Sequence, residues 1–114
     1  MAIKNRKWDS LSDVLENVWQ MLEYGVAHSD DPFHWPVLGT TTKGGCSLRT
    51  VILRQVNPSS RNLVCHTDER SAKVQEIMND SWTSWLFYHP SQKMQVRVTG
   101  HATLHTHDSL GDQQ

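Results

Sequence analysis

Apolar side chains at Leu11, Val14, Leu15, Val18, Trp19 and Leu22 recur at i, i+3, i+4 and i+7, the spacing of one face of a helix, and predict a helix over residues 9–24. Ser10 is placed to accept from the first turn as its cap, and Gly25 falls where a left-handed residue closes a helix. From His28 to Pro36 the run His-Ser-Asp-Asp-Pro-Phe-His-Trp-Pro shows no period and reads as a connection. Beyond it the period changes to two. Val37 to Thr42 and Leu48 to Val56 read as strands joined through Lys43-Gly44-Gly45, a hairpin signal, and Asn57-Pro58-Ser59-Ser60 turns the chain into a third strand from Asn62 to Thr67. Helical spacing returns at Val74, Ile77 and Met78, predicting a short helix from Ser71 to Asn79.

Trp82 to His89 reads as a fourth strand and Met94 to Leu104 as a fifth. In the last, Met94, Val96, Val98, Gly100, Ala102 and Leu104 share one face, while Gln95, Arg97, Thr99, His101 and Thr103 share the other. Many short strands with turns between them favour a mainly β, α+β domain: a small antiparallel barrel at about residues 36–107, with an N-terminal helix and a short helix after the third strand. A chain of 114 residues has the length of one such domain.

Composition narrows the functions. With 11 Lys and Arg against 12 Asp and Glu the net charge is −1, which argues against a protein held to nucleic acid or to an anionic membrane by bulk charge. There is no apolar run long enough for a transmembrane helix or for a signal peptide, so the chain reads as soluble, unprocessed and cytoplasmic. Two cysteines, Cys46 and Cys65, form neither a disulfide framework nor a metal knuckle. A hydrophobic fraction of 37% is lean for so small a core, and oligomerisation is one remedy. The 5 tryptophans suit subunit contacts and ligand pockets.

The most informative unit is strand, then Thr67-Asp68-Glu69-Arg70-Ser71-Ala72-Lys73, then helix. A helix start presents unpaired N–H groups and the positive end of the dipole; Arg70 and Lys73 add charge, and Thr67 and Ser71 add neutral donors. The set suits a phosphate monoester, and the same residues also serve as an ordinary helix cap. Arg49-Thr50-Val51-Ile52-Leu53-Arg54 carries two arginines that, on a continuous strand, point to opposite faces. Gln95 offers a donor and an acceptor to the edge of a heterocycle. His101, His105 and His107 share one face if the strand continues, but no carboxylate or thiol completes a metal shell, and they read as polar surface. Hydrolase and nucleotide-binding motifs of the GxSxG, HExxH, GxGxxG and P-loop types are absent.

Taken in order, Arg49 to Arg54, then His66-Thr67-Asp68-Glu69-Arg70-Ser71-Ala72-Lys73, then Gln95-Val96-Arg97-Val98-Thr99-Gly100 resemble the pyridoxamine 5′-phosphate oxidase family of FMN-binding split barrels, over roughly Pro36 to Leu104. The resemblance implies a homodimer with FMN at the subunit interface. It sets Arg49, Thr50, Val51, Ile52, Leu53 and Arg54 beside the flavin, Thr67, Ser71 and Lys73 on its phosphate with Arg70 and His66 adjoining, and Gln95 against the flavin from the last strand. It also implies FMN-dependent oxidoreductase chemistry on a small-molecule substrate. A flavin-binding module without turnover is the alternative, and a small barrel binding single-stranded nucleic acid through its tryptophans is a further one that the net charge disfavours. The chain departs from the family at His66, where Tyr is usual, at Ala72, where Arg is usual, and at Arg54, where Lys is usual. Such chains also continue into strands carrying a Trp and basic residues that bind pyridoxal phosphate. This one ends at Asp112-Gln113-Gln114 and reads as a shortened member or a fragment, with a substrate other than pyridoxamine phosphate expected.

Overall fold

A computed structural model of the chain describes residues 10–68 and 70–105. Helix α1 covers Leu11–Ala27; strands β1 (Val37–Thr42), β2 (Gly45–Thr50), β3 (Gln55–Asn57) and β4 (Asn62–Val64) follow, then helix α2 (Ala72–Asn79), β5 (Trp82–His89) and β6 (Met94–His101). A single 3-10 turn, Pro32–His34, lies between α1 and β1. The strands form a four-stranded antiparallel sheet in the order β2-β1-β5-β6 and a two-stranded β3-β4 ribbon, the split barrel expected from the sequence. Among the described residues no helix is long and apolar enough to cross a membrane.

Ser10 caps α1, its side chain accepting from the Asp13 backbone N–H at 3.2 Å. The helix runs three residues past the expected Tyr24, and Gly25 lies inside it rather than closing it. The reason is packing. A Cβ at Gly25 would meet the Phe33 Cβ at 2.9 Å, so the missing side chain lets the 3-10 turn lie against the helix. The freed Gly25 carbonyl accepts from the His28 backbone N–H at 3.4 Å and from His34 Nδ1 at 2.7 Å.

Trp19, Leu22, Phe33, Leu53 and Phe87 form the buried core, joined by half-buried Val96 and Val98 from β6. The inward set on β6 is therefore the one its alternation gave. Along α1 the apolar stripe is buried at Trp19 and Leu22 and half-buried at Val14 and Val18; Leu11 and Leu15 are exposed. At the barrel end His89 Nε2 lies 3.3 Å from Asp31 Oδ1, and Asp31 also accepts from the Phe33 backbone N–H, holding the 3-10 turn to β5.

Strand boundaries differ from the sequence reading in one consequential place. The expected strand from Leu48 to Val56 breaks after Thr50. Residues 51–54 leave the sheet as a crossing in which the Val51 N–H donates to the Pro36 carbonyl at 2.9 Å and the Leu53 N–H to the His34 carbonyl at 3.0 Å. Buried Val51 and Leu53 hold that corner to the core. Counting β3 separately puts α2 after the fourth strand rather than the third. The strand expected from Asn62 to Thr67 pairs only to Val64, and the one expected to Leu104 pairs only to His101, where the Ala102 N–H turns to the Ser81 carbonyl. The β1-β2 hairpin closes through Gly44, at φ +85°, which a side chain would strain.

Replacing a helical glycine by alanine ordinarily stabilises, by about 1 kcal/mol. At Gly25 the sign reverses: Gly25→Ala is expected to lower unfolding free energy by about 1–3 kcal/mol as the new methyl overpacks Phe33. Gly100→Ala, with nothing within 4 Å of its added Cβ, is expected to be neutral or stabilising. Urea unfolding of the two variants checks the pair, and a stabilised Gly25→Ala refutes the close approach.

Candidate functional site

The short α2 begins at a cluster of polar side chains that the chain builds locally. Ser71, in extended conformation, is its cap and accepts from the Val74 N–H at 3.4 Å. Its hydroxyl lies 3.1 Å from the Thr67 hydroxyl, so two neutral donors stand together at the helix start. An Asx turn shapes the approach: Asp68 Oδ1 accepts from the Arg70 backbone N–H at 2.9 Å, and the Arg70 guanidinium returns to the same carboxylate at 3.3 Å. That guanidinium, followed by the Arg70 N–H, holds the Asp68 carboxyl below the usual carboxylate range. Lys73, half-buried in the first turn of α2, forms no salt bridge among the described residues.

Beneath this cluster α2 is tied to the sheet. Arg49, on the inward face of β2, donates to the Leu38 carbonyl at 3.2 Å, the Thr40 hydroxyl at 2.8 Å, the Ser47 hydroxyl at 2.9 Å and Glu76 Oε1 at 3.0 Å. The Thr40 hydroxyl in turn donates to the same Glu76 oxygen at 2.7 Å. The Arg49 and Glu76 side chains are only 22% and 18% exposed, so solvent screens the pair weakly. Burial pushes the Cys65 thiol up, while the charges of Lys73 and Arg49 pull against that rise. Both cations therefore act on one thiol at the junction of sheet and helix.

The structure thus brings Thr67, Asp68, Arg70 and Ser71 into direct contact, and the charges of Lys73 and Arg49 both reach the Cys65 thiol. Exposed His66 and Thr67 follow β4. Thr50 ends β2 opposite Val37. Val51, Ile52, Leu53 and Arg54 lie in the crossing, where Arg54 is exposed. Gln95 stands opposite Tyr88 on the exposed face of β6, and no hydrogen bond among the described residues joins its side chain to the cluster. Because the strand breaks, the period-two argument relating Arg49 to Arg54 does not apply to them. His101 Nδ1 lies 2.8 Å from the Ser81 hydroxyl and His105 Nε2 3.0 Å from the Thr103 hydroxyl; His107 and Glu69 lie outside the described residues.

Thr40, Ser47, Asp68 and Glu76 are structural members of the site that sequence reasoning missed. Glu76 belongs to no motif in the sequence, and only its pairing with a sheet residue 27 positions earlier gives it a role. Asp68 had a visible signal, a carboxylate two residues before Arg70, the spacing of an Asx turn.

Comparison with known proteins bears on this arrangement. The family model described as pyridoxamine 5′-phosphate oxidase, FMN-binding domain, matches residues 10–106. Among solved structures, a pyridoxamine 5′-phosphate oxidase-related, FMN binding protein from Nostoc punctiforme is similar at a TM-score of 0.60 and 22% identity over 99% of this chain, a likeness of fold. The chain spans 56% of that protein's length. No curated protein matches it.

Glu76→Ala strips a shared acceptor from Arg49 and Thr40 and is expected to cost about 1–3 kcal/mol of stability. Glu76→Gln keeps an acceptor oxygen and is expected to cost less, an order that urea midpoints check. Exposed Cys46 is expected to react with iodoacetamide at pH 8 before shielded Cys65, as peptide mass mapping would report; equal rates would mean that Cys65 is open to solvent.

Proposed function

The chain belongs to the pyridoxamine 5′-phosphate oxidase FMN-binding domain family, and from that premise we propose that it binds FMN as a homodimer and acts as a flavin-dependent oxidoreductase on a small molecule other than pyridoxamine phosphate. One observation carries the cofactor reading. The paired hydroxyls of Thr67 and Ser71 stand at the start of α2 beside Lys73, a cation that no carboxylate of the described residues neutralises. First-turn N–H groups, neutral donors and an unpaired ammonium together fit a dianionic phosphate monoester.

In this reading Thr67, Ser71 and Lys73 hold the phosphate. Arg70 joins them by exchanging Asp68 for the ligand, an exchange of one exposed ion pair for a charge-assisted contact at little cost. Arg70 thereby supplies the cation that the family usually carries at the Ala72 position. Arg49 stays on Glu76 and braces the helix, while the crossing at residues 50–54, with His66 and Gln95, lies along the rest of the cofactor. When bound, FMN supplies the hydride and electron transfer that no side chain here carries. The protein positions the substrate and excludes water.

The dimer reading draws on the outward face of the four-stranded sheet. Leu48 is 68% exposed, Trp82 46% and Tyr88 54%, with Leu86 and Val37 between them in the register. An apolar face of this kind is ordinarily covered by another protein surface.

A visible spectrum of the purified protein, flavin titrations and a size-exclusion run with light scattering test the proposal. FMN is expected to bind to a dimer. Ser71→Ala and Lys73→Ala are each expected to weaken FMN by about tenfold or more while leaving riboflavin nearly unchanged, since only FMN presents a phosphate to the helix. Equal weakening of both flavins would refute the phosphate cradle, and a monomer that binds FMN would refute the shared site.

A further inference from the structure

The outward face of the four-stranded sheet is almost free of charge. Among the described residues that the register turns to that face, none is Asp or Glu, and Arg97 on β6 carries the one permanent charge. Its neighbours are Leu86 directly opposite on β5, Tyr88 on the diagonal, and Gln95 and Thr99 on its own strand. Arg97 is exposed, and its side chain forms no hydrogen bond or ion pair among the described residues.

In the free chain water solvates this guanidinium. The difficulty arises when the face is covered, as the reading of the preceding subsection requires, because a guanidinium taken out of water without an anion is strongly disfavoured. A two-fold dimer brings the same face of a second copy, and that face offers another Arg97 and no carboxylate. The compensating anion must then come from somewhere other than the sheet faces themselves. Gln95, two residues along the same side of an extended strand, lies roughly 6–7 Å away, within the span of one small molecule.

We propose that Arg97 recognises the anionic group of the redox substrate, a carboxylate or a phosphate, while Gln95 lies against the flavin. The inference rests on the flavoprotein reading and adds a substrate class to it: small molecules bearing an oxyanion one side of a reducible or oxidisable centre. The planar guanidinium suits such a group better than an ammonium would, since it can donate two parallel hydrogen bonds.

The test uses the FMN-loaded protein and follows the flavin absorption on adding benzoate, phenyl phosphate or neutral benzamide. An anion of one or both kinds is expected to perturb the spectrum at about tenfold or more lower concentration than benzamide, and the better of the two identifies the group. Arg97→Gln and Arg97→Met are both expected to abolish that preference while binding FMN normally, with Arg97→Lys retaining part of it. Equal responses to anions and benzamide, or a preference that survives in the folded variants, overturns the proposal. A variant that loses FMN but keeps riboflavin would put Arg97 on the cofactor phosphate, and one that dissociates to monomers would put it on a carboxylate of the partner; either overturns it. Wild-type protein that takes up no flavin refutes the flavoprotein reading itself, an outcome distinct from the others.

Discussion

Arg49 is where three parts of the chain are made to agree. Its guanidinium bonds to the backbone of β1, to hydroxyls on β1 and β2, and to a carboxylate on α2, and Glu76 accepts from Thr40 at the same oxygen. Helix α2 has only eight residues, too few to be stable by itself, so its position depends on what it packs against. Ile77 supplies the apolar part of that contact and the Arg49-Glu76-Thr40 network supplies the directional part. A hydrophobic contact alone would let a short helix rotate or slide. Two hydrogen bonds meeting at one carboxylate oxygen fix its azimuth, and with it the direction in which Ser71 and the first-turn N–H groups point.

A second constraint acts at the corner after β2. The chain passes from the four-stranded sheet to the β3-β4 ribbon within residues 51–54, and its N–H groups find carbonyls at Pro36 and His34. The segment just before β1 is thus held between the helix α1, through Gly25, and the crossing. Helix α2 and the crossing keep fixed relative positions because α2 is tied to Thr40 on β1 and the crossing to the segment that leads into β1.

Much of this order is legible in the sequence, and the failures have identifiable causes. Strands β5 and β6 and helix α2 follow from period and capping, because each buries one face and the pattern records that burial, whereas β1, buried at Leu38, Gly39 and Thr40 in succession, follows from its β-rich run before the Lys43-Gly44-Gly45 turn. Residues 48–56 read as one strand because Val51, Ile52 and Leu53 are apolar and two of them β-branched; what ends the ladder is a pair of distant carbonyl acceptors, which no local pattern encodes. Gly25 fails for a related reason, since a glycine near a helix end carries the same letter whether it caps the helix or makes room for Phe33. In the candidate site, Thr67, Arg70, Ser71 and Lys73 can be grouped from the sequence because they fall within seven residues. Glu76 is not, because its partner lies across the fold.

The distribution of charge ties these parts together. Among the described residues at the start of α2, Arg49 pairs with Glu76 and Arg70 with Asp68, and Lys73 forms no salt bridge. The two pairs differ in kind. Asp68 and Arg70 are a surface pair, 60% and 89% exposed, which a ligand can open at small cost, whereas Arg49 and Glu76 are largely shielded and lose much more when separated. In the phosphate site proposed above, an anion meets Lys73, unpaired among the described residues, Arg70, which is easily recruited, and Arg49, which is held by Glu76. In the proposed site, opening the Asp68-Arg70 pair adds positive charge only when an anion arrives, and it leaves undisturbed the Arg49-Glu76 contact that orients the helix.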